Sequence, residues 1–148
     1  MATPAAIPAI NTLLQLGDSA SPQGFATIAN IGNINGLTLS ANVVDVTSHS
    51  TGVPWRQKIT TLLDAGDLTA DLFFVPGDTG HQELLSIFTE KNGTTNGLRT
   101  YHVVFPEAGA PTWEFEAYIS KFSITSQTAD VIKAQVVFTA TGEPDFDV

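Results

Sequence analysis

The sequence contains no cysteine among its 148 residues. Disulfides and thiolate-bound metals are therefore excluded, and stability must come from apolar burial, hydrogen bonding and association with other chains. Long apolar runs are absent as well, since no stretch approaches the roughly 20 residues that a transmembrane helix needs. The start of the chain lacks the basic region and apolar core of a signal peptide, so we expect no membrane association and a cytoplasmic origin.

Basic residues are also scarce. Six lysines and arginines face fifteen aspartates and glutamates, which gives a formal net charge of −9 at pH 7. The six cations are scattered along the chain: Arg56, Lys58, Lys91, Arg99, Lys121 and Lys133. A protein that grips phosphates needs clustered lysine and arginine, so we expect this chain to repel nucleic acid and not to bind it specifically.

The length and a hydrophobic fraction of 43% predict one globular domain with its own core. Residues 1–11 are rich in alanine and proline and predict a flexible N-terminal arm. Residues 12–142 form the predicted single β domain, in which 12–18 is a first strand. Residues 143–148 carry three acidic side chains and predict a solvated acidic tail.

A tight turn is predicted at Asn35-Gly36. Asn-Gly between two β-rich stretches is a strong hairpin signal, and it lies here between 25–34 and 37–46. We therefore expect these two stretches to pair with each other.

The second half alternates between apolar and polar residues. Three stretches, 68–74, 113–119 and 131–138, each place apolar side chains at every other position, as half-buried strands do. Another strand is expected at 100–105, and a short amphipathic helix at 81–88 follows a cap at Asp78 or a Thr79/Gln82 capping box. The fold class is mainly β: an antiparallel β-sandwich or barrel with one flanking α-helix.

The segment 47–67 is predicted to be a long loop with an unusual apolar content. Loops of this length inside compact domains are usually functional or disordered, and the apolar residues favour order through contact with a neighbouring subunit. The candidate interface residues are His49, Trp55, Arg56, Lys58, Ile59, Leu62 and Leu63. Trp55 could instead be packed under the loop as local core, although tryptophan and arginine are typical of interface hot spots.

Three acidic residues on predicted strands are candidates for a functional surface. Glu114 and Glu116 project from one strand face, and Asp71 repeats the pattern on another strand. An ordinary solvent face explains this pattern as well as a deliberately negative functional surface does.

No catalytic, metal-binding or cofactor-binding set is expected. His81-Gln82-Glu83 has the His-x-Glu form of zinc deaminases, but that chemistry also needs two cysteines. We expect His81 to be an exposed polar residue in the first turn of the helix. His49 and His102 have no second ligand at metal-like spacing, so the sequence predicts a protein that is not an enzyme.

The order of several short motifs resembles the tail tube (major tail) proteins of long, non-contractile-tailed bacteriophages. These motifs are Val-Asp-Val-Thr-Ser at 44–48, Trp55-Arg56, a strand ending in Val-Pro-Gly at 75–77, the helix, a strand ending in Phe105-Pro106, and Thr-Ala-Thr-Gly at 139–142. The resemblance covers approximately 37–144.

The resemblance implies a structural virion protein, assembled in the host cytoplasm, whose hexameric rings stack into a tail tube with a negatively charged bore. Glu114, Glu116 and Asp71 then become candidate bore residues, and 47–67 the candidate ring-to-ring contact. The implied partners are further copies of the chain, a tape-measure protein, and tail terminator and tip proteins, while viral DNA passes through without specific binding. The alternatives are a type VI secretion-like ring protein and a carbohydrate-binding β-sandwich module that uses Trp55 as a platform.

Overall fold

The structure, a computed structural model, describes residues 10–17, 24–48, 52, 54–89, 97–107 and 109–146. In these residues the chain forms nine strands and one helix. They are β1 (Leu13–Gly17), β2 (Phe25–Thr27), β3 (Ile31–Asn35), β4 (Ser40–Asp45), β5 (Lys58–Asp64), β6 (Asp67–Phe73), α1 (Thr79–Thr89), β7 (Arg99–Val104), β8 (Thr112–Thr125) and β9 (Lys133–Asp145). No helix in this part of the chain is long and apolar enough to cross a membrane.

Seven strands form one sheet in the order β2-β1-β7-β8-β9-β6-β3, and β4 and β5 form a separate two-stranded sheet. Every pairing is antiparallel. The long strands β8 and β9 occupy the centre of the large sheet and pair along most of their length. The mainly β, antiparallel fold with one helix confirms the predicted class.

The large sheet must curl, because its two edge strands are close neighbours in the chain. Only residues 28–30 separate β2 from β3, and four chain steps span at most roughly 14 Å. Seven strands laid flat would hold their edges roughly 29 Å apart. The chain therefore bends the sheet around its apolar face, and the opposite face points outward.

The enclosed face forms the core. Leu14, Leu68, Tyr101, Phe115 and Phe138 come from five different strands and are all at most 2% exposed. The ring centroids of Tyr101 and Phe138 lie 4.7 Å apart, which joins the two halves of the sheet. The predicted inward faces of 68–74, 113–119 and 134–138 are confirmed, because a buried core enforces a strict period of two.

The helix closes this core with Leu84 and Ile87. Asp78 is its cap, since Oδ1 accepts hydrogen bonds from the backbone N–H groups of Gly80 at 2.8 Å and His81 at 3.2 Å. The expectation that His81 is exposed was wrong. Its ring is fully buried, with Nδ1 accepting from Val75 N–H at 3.1 Å and Nε2 lying 2.8 Å from the Ala29 carbonyl, so it ties the helix to two loops.

The Asn35-Gly36 hairpin prediction was wrong. The stretch 25–34 is divided at Asn30, which has a φ of 60°, into β2 and β3 on opposite edges of the sheet. β3 pairs with β6, and β4 pairs with β5. Gly36 makes a close backbone crossing instead of a two-residue turn, so the chain leaves the sheet after β3.

Two other boundaries also differ from the predictions. The second half of the predicted 47–67 loop is strand β5, and β9 continues to Asp145 in place of a tail that begins at residue 143. Residues 1–9 of the predicted arm and residues 147–148 lie outside the described part of the chain.

Candidate assembly surfaces

The β4–β5 hairpin is the most exposed part of the described chain. Every residue of both strands is exposed, including large apolar ones: Val43 (52%), Ile59 (51%), Leu62 (76%) and Leu63 (80%). Two-stranded hairpins are marginally stable by themselves and usually need a packing partner. The predicted interface residues of 47–67 thus lie on an ordered hairpin and not on an irregular loop.

Apolar side chains occupy both faces of this hairpin. The pairing of Ala41 with Leu63 and of Val43 with Thr60 directs Val43 and Leu63 to one face. Val44 and Ile59 pair with each other and point to the other face. A register shift between Ala41 and Val43 is spanned by hydrogen bonds between Asn42 and Thr61. Full burial of this hairpin therefore requires contacts on both faces.

A polar network organises the end of the hairpin. The Asp45 carboxylate accepts hydrogen bonds from the backbone N–H and hydroxyl of Thr47, and these bonds lower the pKa of Asp45 below its usual value. Gln57 N–H donates to the Thr47 hydroxyl at 2.8 Å. Arg56 Nη1 lies 3.7 Å from Asp45 Oδ2. These contacts join the two strand ends, and Trp55, which precedes Arg56, is 80% exposed.

The candidate interface residues thus fall into three groups. Ile59, Leu62 and Leu63 lie on β5, and Lys58 begins that strand opposite Asp45. Trp55 and Arg56 lie at the end of the hairpin, and the exposure of Trp55 argues against a local core role. His49 lies outside the described residues.

The outward face of the curled sheet carries the candidate acids. Glu114 and Glu116 alternate with the buried Phe115 and Ala117 on β8, and Asp71 lies between the buried Ala70 and Leu72 on β6. All three therefore point away from the core. They are not clustered, because β9 separates β6 from β8 in the sheet.

An acidic neighbour of Glu114 was missed by the sequence analysis. Because β9 continues past residue 143, Asp145 lies directly opposite Glu114, and Glu116 lies opposite Thr141. The end of the β8–β9 ladder is thus more acidic than predicted, whereas Lys121 and Lys133 lie further along the same two strands. The alternation of residues after Gly142 was the signal available for this extension.

His102 is the other residue whose surroundings only the structure reveals. It lies opposite Glu114, with Nε2 3.7 Å from Glu114 Oε2, and its ring stacks on Phe25 at a centroid distance of 3.6 Å. The stacking spans β1, the strand between β2 and β7, on which Gly17 lies opposite Phe25. Among the described residues, no group of three or more histidines and acids could hold a metal ion.

Solved structures with the same fold are tail tubes and related assemblies. The chain is similar to a protein in the tail of an empty gene transfer agent particle refined with C6 symmetry, with a TM-score of 0.75, 18% identity, and coverage of 97% of this chain and 100% of that one. It is also similar to a chain of the sheath–tube complex of an extracellular contractile injection system, PVC, in the extended state, with a TM-score of 0.69, 15% identity, and coverage of 97% and 93%. A third is the SPP1 tail tube protein, with a TM-score of 0.67, 10% identity, and coverage of 97% and 81%.

No curated protein sequence matches the chain. The family model for the lambda phage tail tube protein, TTP, matches residues 12–147, which is nearly the whole chain. The mainly β, antiparallel fold with one helix in the described residues agrees with the fold of these similar structures. The chain therefore belongs to the lambda phage tail tube protein family and is a structural component of a phage-type virion tail.

Proposed function

We propose that the chain forms hexameric rings that stack into a tube, with the β4–β5 hairpin as a principal contact between copies. The observation that carries this proposal is the hairpin itself, whose strands are exposed throughout and apolar on both faces. The C6 symmetry of the similar gene transfer agent tail supports six copies in each ring. The role is mechanical and needs no catalysis.

Burial of the hairpin supplies a driving force for stacking. Covering a leucine or isoleucine side chain contributes about 1.5–3 kcal/mol, so Ile59, Leu62 and Leu63 together could contribute several kcal/mol per subunit. The free energy gained is smaller because association also costs translational and side-chain entropy. Each contact is repeated in every subunit of a ring. Contacts between rings do not close on themselves, so they repeat along the axis and build a tube.

The outward acids support a conduit for DNA. A bore lined by Glu114, Glu116 and Asp145 would repel the phosphate backbone, and the two residues Glu114 and Asp145 face each other across the β8–β9 ladder. We include Asp71 as a separate acidic position on the same outward face. Because charges are screened beyond about 8 Å at physiological ionic strength, only acids close to the DNA would contribute.

The proposed partners follow from this role. A tube needs a tape-measure protein inside it during assembly, and terminator and tip proteins at its ends. Structures similar to this chain include an anti-feeding prophage baseplate and a tube-terminating cap, which supports such partners here. Viral DNA would pass without a specific binding site.

The hairpin contact is tested by a Leu62→Ser/Leu63→Ser double variant. We expect the variant to keep its unfolding temperature but to form no tubes, as judged by negative-stain electron microscopy and sedimentation across a concentration series. The matched control, Ile124→Ser/Val131→Ser, removes two other exposed apolar side chains outside the hairpin. Normal tubes from the hairpin variant would contradict the proposal.

The bore is tested by charge reversal in assembled tubes. Glu114→Lys/Glu116→Lys tubes should retain a short fluorescent DNA duplex that unmodified tubes release, and added salt should weaken the retention. Glu83→Lys/Glu107→Lys changes the net charge equally at two other exposed acids and should not retain the duplex. Equal retention by both variants would assign the effect to overall charge, and Asp71→Lys tests the third position separately.

A further inference from the structure

Two segments connect the β4–β5 hairpin to the rest of the protein. Each contains a glycine that is in close contact with the backbone of the other segment. Gly36 lies between β3 and β4, and Gly66 lies between β5 and β6. Both have positive φ values, +117° and +72°, in a region that side-chain-bearing residues rarely adopt. The segment that enters the hairpin and the segment that leaves it cross at these two residues.

Neither glycine has room for a side chain. A Cβ added to Gly36 would lie 2.4 Å from the Asp67 carbonyl oxygen and 2.8 Å from the Leu68 Cα. A Cβ added to Gly66 would lie 2.1 Å from the Thr38 carbonyl oxygen. The obstructing atoms belong to the backbone and cannot rotate aside as the end of a flexible side chain can. The two connecting segments therefore pack backbone against backbone, each at the glycine of the other.

Hydrogen bonds attach this crossing to both parts of the molecule. The Gly66 carbonyl accepts from Ala140 N–H on β9 at 3.0 Å, which anchors it to the centre of the large sheet. Gly66 N–H donates to Asp64 Oδ1 at 2.9 Å, which anchors it to the end of β5. Leu68, two residues further on, is 1% exposed in the core. A displacement of Gly66 would therefore shift both the hairpin and the large sheet.

Strand pairing with the large sheet does not fix the direction of the hairpin. β4 and β5 pair only with each other and share no ladder with the seven-stranded sheet. A seven-residue strand is roughly 23 Å long, so a tilt of about 10° at its base would move its far end by about 4 Å. A contact between copies at that end would then be out of position.

We propose that Gly36 and Gly66 are positioning residues that set the angle between hairpin and body, and through it the twist and rise from one ring to the next. This inference rests on the proposed stacking role of the hairpin. Neither residue needs to touch a neighbouring copy. They act indirectly, because the hairpin angle decides where the side chains of β4 and β5 meet a neighbouring copy.

The experiment compares alanine at two crowded glycines and at one open glycine, all three with positive φ. Gly36→Ala and Gly66→Ala introduce the collision. Gly109→Ala has a positive φ of +89° but nothing within 4 Å of the added Cβ, and it lies outside the hairpin, so it imposes the conformational strain alone. The unfolding temperature, the critical concentration for tube formation, and the helical twist and rise by cryo-electron microscopy are measured for each.

We expect all three variants to lose some thermal stability, and only the crowded pair to change assembly. Gly66→Ala should raise the critical concentration at least tenfold or produce tubes with an altered twist, whereas Gly109→Ala tubes keep the original twist and rise. Tubes of Gly36→Ala and Gly66→Ala with the same critical concentration, twist and rise as Gly109→Ala tubes would overturn the inference.

A second pair decides the question if the crowded variants do not fold. Asp64→Ala removes the acceptor of the Gly66 N–H bond, whereas Asp64→Asn keeps an oxygen in its place. We expect a broader distribution of twist in Asp64→Ala tubes at an unchanged unfolding temperature, and equal distributions would overturn the inference. If the unmodified chain forms no tubes at all, the proposed function itself fails. Normal tubes from every variant would reject the positioning role alone.

Discussion

Strands β5 and β6 have the same length, follow each other in the chain with two residues between them, and have opposite environments. Along β6, buried residues alternate with partly exposed ones, whereas every residue of β5 is exposed. Both strands contain leucine, so hydrophobicity alone does not decide which one enters the core. The difference shows that β6 is stabilised by the core of its own subunit, whereas the apolar residues of β5 are left exposed. We propose that other copies of the chain cover them.

This comparison is tested most sharply by replacing one leucine in each strand with alanine. Leu68→Ala should lower the free energy of unfolding by about 2–5 kcal/mol, because it opens a cavity in the core. Leu63→Ala should change the stability of the unassembled subunit by less than about 0.5 kcal/mol, since its side chain is already exposed. Urea denaturation at a concentration that keeps the protein monomeric measures both, and equal losses would contradict the comparison.

The buried histidine of the body should matter nearly as much. His81→Ala would leave Val75 N–H and the Ala29 carbonyl without their side-chain partner, which we expect to cost about 1–3 kcal/mol of unfolding free energy. Glu83→Ala, an exposed position on the same helix, serves as the control and should change little. Thermal unfolding distinguishes them, and an equal effect at both positions would refute the bridging role of His81.

Removal of the buried Tyr101 hydroxyl should have a smaller effect on stability. It should stabilise the subunit, whereas the substitutions of Leu68 and His81 should destabilise it. No described residue offers the Tyr101 hydroxyl a hydrogen bond, and burial raises its pKa. Tyr101→Phe should therefore stabilise the subunit by up to about 1 kcal/mol, whereas Tyr118→Phe on the outward face should be neutral. Because the folded pKa is raised, the wild type should lose stability as pH rises above 10.0, and the advantage of the phenylalanine variant should grow there. A destabilised Tyr101→Phe would contradict this account.

The smallest expected effect is at the end of the hairpin. The hydrogen bonds from Thr47 lower the pKa of Asp45, so their contribution is present above the usual value of 3.8 and is lost as pH falls through the lower folded value. We expect the Thr47 amide resonance to shift over that acidic range while global unfolding stays unaffected. Asp45→Asn should abolish the shift, and a pH-independent Thr47 amide in the wild type would disprove the interaction.

The sequence predicted those elements whose pattern a core enforces. The inward faces of β6, β8 and β9 followed from alternation, and α1 followed from its apolar side and its cap. β5 was missed because Ile-Thr-Thr-Leu-Leu does not alternate, and no core within the subunit requires it to do so. The predicted hairpin at Asn35-Gly36 failed because a local turn signal cannot reveal that β3 has a better partner in β6.

The candidate surfaces were predicted in part. The apolar content of 47–67 identified the exposed hairpin residues, and alternation identified the outward direction of Glu114 and Glu116. Their roles in contact and in the bore remain predictions. The pairing of Asp145 with Glu114, and the proximity of His102, depend on strand register across distant parts of the chain, which no local pattern encodes.

The sequence by itself determined the charge, the absence of disulfides, the mainly β class and the faces that enter the core, because composition and period are local properties of a chain. The tertiary structure alone decided that the sheet curls, that His81 is buried, and that the hairpin leaves the body at Gly36 and Gly66. These features arise where segments distant in sequence compete for the same partner or the same space. Their outcome depends on the packing of the whole chain and not on any one segment.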